Sequence, residues 1–234
     1  MTPQRPSRLH PLASELLSRL KDHPEASEIV IGGGVALSHY LEHRATFDLD
    51  AWWKSEPKPE TIGFVRAAMN EIARSHGATF EEKRRGDVFS LNIREASGKR
   101  VFSFQIAQRD QYLEQPITSL WYPVLLETFA DNVAAKMIAL VDRGAPRDFL
   151  DIYEIVNRDL ISLDQCLDLY QQKRRDADIE SSKQQVLDNL ELIEVRRPLD
   201  SIADPEERSY AASVRTWYYA HFGETEDFKR GVRL

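Results

Sequence analysis

Apolar positions along the chain fall into two regimes. Leu12, Leu16, Leu17 and Leu20 recur at helical spacing and give one apolar stripe that ends before Pro24. Residues 28–31 form a short strand-like run leading into Gly32-Gly33-Gly34, and 35–41 then reads as a helix. Along Phe47-Asp48-Leu49-Asp50-Ala51 apolar and acidic residues alternate with period two, so the pattern predicts a strand with Phe47, Leu49 and Ala51 turned to the core. A helix over 59–76 is expected to stop at Gly77. Residues 78–83, 88–94 and 100–108 read as strands, separated by Gly86 and by Ser97-Gly98. Beyond Pro123 the pattern is helical throughout, with helices expected near 129–142, 147–156, 163–174, 181–195 and 206–222. The chain therefore reads as an α+β protein. An α/β domain with a mixed sheet spans 1–122, with a helix over 9–22 leading in, and a helical domain spans 123–234.

Composition narrows the class. Hydrophobic residues make up 42% and charged residues 29%, ordinary values for a globular domain, which excludes a collagen-like chain, a disordered tail and a coiled-coil rod. No apolar run approaches the ~20 residues of a membrane span, and no apolar core follows the arginines of the first eight positions. Cys166 stands alone, which rules out an intrachain disulfide and a multi-cysteine zinc site and fits a reducing cytoplasm. A net charge of −7 argues against broad, non-specific binding to nucleic acid. Lys83-Arg84-Arg85, Lys173-Arg174-Arg175 and Arg196-Arg197 are basic knots that read as solvated helix or loop ends, so an RNA site has to be a local patch.

Two constellations carry candidate chemistry. The first is the glycine run at a strand end, a short helix, then Asp48 and Asp50. Residues two apart on a strand point the same way, so both carboxylates share one face. Their mutual repulsion is relieved by a cation between them. Carboxylate oxygens suit Mg²⁺, which takes one or two protein carboxylates and leaves its remaining positions to phosphate and water. Glycines let backbone N–H groups approach a phosphate at a helix start. Either motif alone reads as a turn or as a polar strand face; their order and spacing together describe a site for a metal-chelated nucleoside triphosphate.

The second runs from Lys136 to Asp151. Lys136 and Arg143 are seven apart and share a helical face, Gly144 and Pro146 break the chain, and Asp148 and Asp151 fall in the next helix's first turns. One reading is structural: Asp148 at a helix start and an Arg147–Asp151 pair. The other makes Lys136 and Arg143 phosphate clamps, oriented by Asp148 or Asp151.

In Gly33-Gly34-Val35-Ala36-Leu37, then His43-Arg44-x-Thr46-x-Asp48-Leu49-Asp50, then Lys136…Arg143-Gly144-x-x-Arg147-Asp148-x-x-Asp151-Ile152-Tyr153, the sequence resembles the AbiEii/AbiGii abortive-infection toxins of the nucleotidyltransferase superfamily. The resemblance runs from Ile29 to Tyr153. It implies a small polymerase-β-like nucleotidyltransferase domain followed by a C-terminal helical bundle that completes the active site. It also implies transfer of a nucleotide from an NTP to an RNA hydroxyl, tRNA first among candidates, in a toxin–antitoxin or phage-defence pair with a cognate antitoxin. Asp48 and Asp50 become the ligands of Mg²⁺, or of Mn²⁺ in its place. Asp48, Asp50, Lys136 and Asp148 become catalytic, and Gly33, Gly34, Arg44, Lys136, Arg143 and Asp151 bind nucleotide or phosphate. Three features depart from the pattern, one being Glu42 where a glycine is common before His43-Arg44. Val35 stands where the superfamily often has Ser or Thr, and the strand expected to bring a third carboxylate offers Gln105, so the base is Glu42, Asp148, Asp151 or water, or catalysis is weak. The alternatives are a silent nucleotide- or partner-binding module and a kinase-like transferase with a protein acceptor.

Other residues read more plainly. His39 and His43 have the i,i+4 spacing of half a zinc site but lack the accompanying glutamate, so His39 is expected to be packed and His43 hydrogen-bonded. Cys166 is expected in the core. Trp217, Tyr218, Tyr219 and Phe222 form an aromatic cluster on the last helix, and Trp52 and Trp53 take opposite faces of their strand, with one expected near the nucleotide.

Overall fold

The alternating acidic stretch becomes a central strand of a mixed, seven-stranded sheet in the computed structural model, which describes residues 1–21, 23–108 and 111–223. Its strands are β1 (Ile29–Gly32), β2 (Asp48–Trp53), β3 (Thr79–Arg85), β4 (Val88–Arg94), β5 (Arg100–Gln108), β6 (Ile117–Thr118) and β7 (Leu125–Leu126). They lie side by side as β3-β4-β5-β2-β1-β7-β6. β2 runs antiparallel to β1 and parallel to β5, and β7 is parallel to β1. The helices are α1 (Pro11–Leu20), α2 (Gly33–Ser38), α3 (Pro59–Ser75), α4 (Phe129–Asp142), α5 (Pro146–Asn157), α6 (Leu163–Lys173), α7 (Ile179–Arg196) and α8 (Pro205–Phe222). Packing divides the chain into a first unit, Met1–Asn132, and a second, Val133–Leu234, the division falling inside α4.

The first unit is an α+β domain whose core lies on one face of the sheet. Leu49, Ala51 and Trp53 of β2 point into it with Phe102, Phe104 and Ile106 of β5 and Leu91 and Ile93 of β4. α1 covers them with Leu12, Leu16, Leu17 and Leu20, the stripe set by its helical spacing, and α3 adds Val65, Met69 and Ile72. Leu17 is wholly buried, so Leu17→Ala would cost about 2–5 kcal/mol in lost burial and a residual cavity. α3 ends where Gly77 takes φ +63°, a left-handed conformation that glycine adopts without penalty.

Three expectations need correction. Phe47 is not in the core: β2 begins at Asp48, and Phe47 stands outside it, 65% exposed, with His10 edge-on to its ring. Period-two parity fixes which way a residue would face, not where the strand starts. The helix after the glycines ends at Ser38, so His39 and His43 do not share a helical face. The two-residue strands β6 and β7 were invisible as patterns.

The second unit is helical. Phe149, Ile152 and Ile155 of α5 are buried, as are Cys166, Leu167 and Tyr170 of α6 and Val186 and Leu190 of α7. On α8, Tyr218 and Phe222 are buried, and the Tyr218 hydroxyl donates to the Phe149 carbonyl at 2.8 Å. Side chains close the helix starts: Ser162 and Gln165 bond reciprocally at α6, Asp178 caps α7 and Asp204 caps α8. Among the described residues no helix is long and apolar enough to cross a membrane.

Candidate nucleotide site

The site is built where β1 turns into α2. Gly32 is extended, and a Cβ there would sit 2.8 Å from Glu127 Oε2 and closer still to the Trp52 indole nitrogen. Gly33 has φ +58°, and a Cβ on it would lie 2.9 Å from Asp50 Cβ and Cγ and overlap Oδ2. A Cβ on Gly34 would meet Thr46 at 3.1 Å and Arg44 Nη2 at 3.3 Å. The glycines thus give the turn both its conformation and its closeness to Asp50 and Arg44. In the first unit, Gly33, Gly34, Arg44 and Asp50 are brought together.

Register places the second carboxylate. Asp48, Asp50 and Trp52 alternate with buried Leu49, Ala51 and Trp53, so they share the sheet face opposite the core. On that face Gly32 and Gln105 lie directly across from Asp50 on the two flanking strands, and Ser103 across from Asp48. The row continues from Gln105 to Ser90 and then to Lys83 on the edge strand. Asp48 has Arg100 Nη2 at 3.9 Å. Burial pushes His10 below its ordinary pKa, and the charge of Asp48 opposes that shift. The two carboxylates are oxygen donors of the kind that would suit Mg²⁺. Among the described residues no group of three or more His, Cys, Asp and Glu side chains is placed to hold a metal, and Gln105, an amide and not a carboxylate, lies across from Asp50.

Lys136, Arg143, Asp148 and Asp151 belong to the second unit and form two ion pairs. Lys136 Nζ lies 2.7 Å from Asp151 Oδ2, both side chains almost wholly buried. Asp148 accepts two bonds from Arg143, at 2.8 and 3.0 Å, and one from the Ala145 N–H. Each acid therefore orients one of the two cations. Asp148 is fully buried while half of the Arg143 side chain is exposed.

The remaining candidates take structural roles. Burial pushes the His39 imidazole down to about 4, against a Gln4 carbonyl that bonds Nδ1, and the ring stacks on Trp121. His43 Nδ1 lies 3.2 Å from the Leu41 carbonyl. Glu42 accepts from the Ser7 N–H and hydroxyl and from the Arg8 N–H, bonds that hold its carboxyl below the ordinary value despite burial. Burial raises the Cys166 thiol to about 12, which makes it a poor nucleophile.

Two residues beside the turn escaped the sequence reading. Glu127 is fully buried, and Asn132 Nδ2 donates both to Glu127 Oε2 and to the Gly33 carbonyl, at 3.0 Å each. The Tyr40 hydroxyl, whose pKa burial raises to about 12, donates to the Glu127 carbonyl at 2.9 Å. The only local signal was Thr128-x-x-Asp131, a helix start that places Glu127 just before α4 and Asn132 in its first turn; Thr128 Oγ1 accepts from the Asp131 N–H at 3.2 Å.

A family model described as nucleotidyl transferase AbiEii toxin, type IV TA system, matches residues 15–218. The solved structure of JHP933 from Helicobacter pylori is similar with a TM-score of 0.51 at 17% identity, over 90% of this chain and 90% of that one. A second H. pylori structure, described as a nucleotidyltransferase, has a TM-score of 0.50 at 18% identity, over 90% of this chain and 93% of that one. At such identities the likeness is one of fold. No curated protein matches in sequence.

Proposed function

The chain belongs to the AbiEii family of nucleotidyltransferase toxins of type IV toxin–antitoxin systems, and on that premise we propose that it moves a nucleotide from an NTP onto an RNA hydroxyl, with tRNA the leading acceptor. It would act in the cytoplasm as the growth-arresting arm of a toxin–antitoxin or phage-defence pair, restrained by its cognate antitoxin. The observation that carries the reading is the glycine turn pressed onto the Asp50 carboxylate, with Asp48 on the same sheet face.

Asp48 and Asp50 would hold Mg²⁺, or Mn²⁺ in its place. When bound, such an ion offsets charge on the triphosphate oxygens and on the departing pyrophosphate. Without side chains at Gly33 and Gly34 the turn backbone lies close to Asp50 and Arg44, and Arg44 beside Gly34 would bring positive charge to a phosphate held there. Lys136 and Arg143, each fixed by a carboxylate, are cations suited to phosphate oxygens. In the transfer the acceptor oxygen bonds to the α-phosphorus, the bond to pyrophosphate breaks, and the acceptor proton must leave. Gln105, across from Asp50, cannot take that proton. Asp148 is engaged by Arg143, Asp151 by Lys136, and Glu42 by the N-terminal segment, so we assign the proton to water.

Gln105 also favours a second reading, nucleotide binding without transfer. Incubation of the protein with labelled NTPs, Mg²⁺ and total RNA separates the two. Label in RNA that vanishes in Asp48→Asn and Asp50→Asn supports the proposal. Nucleotide uptake without transfer supports the second reading, and label in protein points to a protein acceptor.

A further inference from the structure

Glu127 and Asn132 are separated from the glycine turn by about a hundred positions in sequence, yet Asn132 bonds to it directly and Glu127 bonds to Asn132. Asn132 Nδ2 spans the Gly33 carbonyl and Glu127 Oε2, 3.0 Å from each. Both partners are acceptors, so the amide orientation is settled: its nitrogen faces them. Its oxygen is buried with no hydrogen-bond partner among the described residues. An unmet buried acceptor is destabilising, so a residue kept here for packing alone would serve better without an amide.

Glu127 is clamped in turn. Its N–H donates to the Ile31 carbonyl at 2.9 Å, its carbonyl accepts from Tyr40, and its Oε2 occupies the space beside Gly32 that a side chain there would need. With no exposed surface, its carboxylate does not reach a ligand directly. Its bond to Asn132 instead fixes that amide, and the amide fixes the Gly33 carbonyl. A peptide plane has one orientation, so pinning a carbonyl also directs the N–H on its far side, here that of Gly34.

We propose that Glu127 and Asn132 are positioning residues for the nucleotide: through the Gly33 carbonyl they hold the Gly33–Gly34 peptide in the orientation that receives the triphosphate. The proposal rests on the nucleotidyltransferase reading of the turn. Loss of the anchor loosens a binding element used alike by the bound substrate and by the transition state, so it raises KM for NTP and leaves kcat nearly unchanged.

The test uses the full chain with Asn132→Ala, Asn132→Asp, Glu127→Gln and the exchange Glu127→Gln/Asn132→Asp. NTP affinity is read by calorimetry with Mg²⁺, KM and kcat by label transfer to RNA, and folding by thermal melting. Asn132→Ala is expected to weaken NTP binding about tenfold, the size of one neutral hydrogen bond and its ordering effect. Glu127→Gln keeps an acceptor for Asn132 and is expected to stay within about threefold of wild type. The exchange is decisive. It puts the amide on position 127 and the carboxylate on position 132, which restores a bond between the two side chains with its direction reversed. The melting temperature therefore recovers relative to Asn132→Asp alone. A carboxylate at position 132 has no N–H for the Gly33 carbonyl, so NTP affinity stays weak. Recovery of affinity together with stability in the exchange, or wild-type affinity in Asn132→Ala, overturns the proposal. A wild type that binds NTP and transfers nothing overturns the transfer reading alone, because affinity is measured without an acceptor.

Discussion

Gly33 and Asp50 are packed so closely that a methyl group on residue 33 would lie 2.9 Å from Asp50 Cγ. The backbone at Gly33 is also left-handed, at φ +58°. Gly33→Ala therefore carries roughly 1–2 kcal/mol of backbone strain before any overlap is counted. It is expected to lower the melting temperature by roughly 2–8 °C and to abolish nucleotide binding. Gly63→Ala is the control: Gly63 lies inside α3 with open space around it, and replacement there is expected to add about 0.5–1 kcal/mol of stability. Melting curves and NTP titrations on the two variants check both.

Substitution at the carboxylates separates chemistry from folding. Asp50→Asn keeps the shape of the side chain and removes its charge. Transfer is expected to fall at least about a hundredfold, ~2.7 kcal/mol of transition-state stabilisation. In cells, induced wild type is expected to arrest growth while Asp50→Asn does not. Equal arrest by both would contradict nucleotide transfer as the cause.

Lys136 and Asp151 form a buried pair, and breaking such a pair strands a charge. Lys136→Ala is expected to cost about 3–5 kcal/mol in urea unfolding. Lys136→Met/Asp151→Leu removes both charges and is expected to recover most of that loss. Activity lost in Lys136→Ala alone thus mixes two effects, and the double variant distinguishes them: inactivity in a stable double variant assigns the pair to function.

Acid titration reports on His39. Burial holds its folded pKa at about 4, below the ordinary 6.5, so the unfolded chain binds the additional proton between those values. Stability rises with pH wherever the unfolded state binds more protons. The contribution of His39 is therefore complete above pH 6.5 and is lost as pH falls from 6.5 to about 4. Denaturation midpoints measured across that window are expected to fall less steeply in His39→Gln than in wild type.

The sequence disclosed the parts of this molecule whose physics is local. β4 and β5 begin and end as their alternation and flanking turns indicate, and α4 matches its helical period residue for residue. Asp48 and Asp50 were legible because period two places them on one face, and Gly33 because a strand end followed by glycine invites a turn. β6 and β7 escaped because two residues carry no period; Leu125 and Leu126 are strand by pairing with Val30 and Ile31 on one side and with Thr118 and Ile117 on the other. Phe47 was misplaced because alternation runs on past the end of the hydrogen-bonded ladder. Glu127 and Asn132 were missed for another reason. A glutamate and an asparagine near a helix start look like solvated polar residues, and the bond from Asn132 to Gly33 exists only once β1 and α4 have folded together.

Titration calorimetry of NTP into wild type, with and without Mg²⁺, and into Asp48→Asn/Asp50→Asn tests the central assignment most directly. Uptake that requires Mg²⁺ and disappears in the double variant is the expected result. Equal uptake by the two proteins, or none by folded wild type with Mg²⁺ present, would contradict the assignment of the paired carboxylates and the glycine turn to a metal-chelated triphosphate.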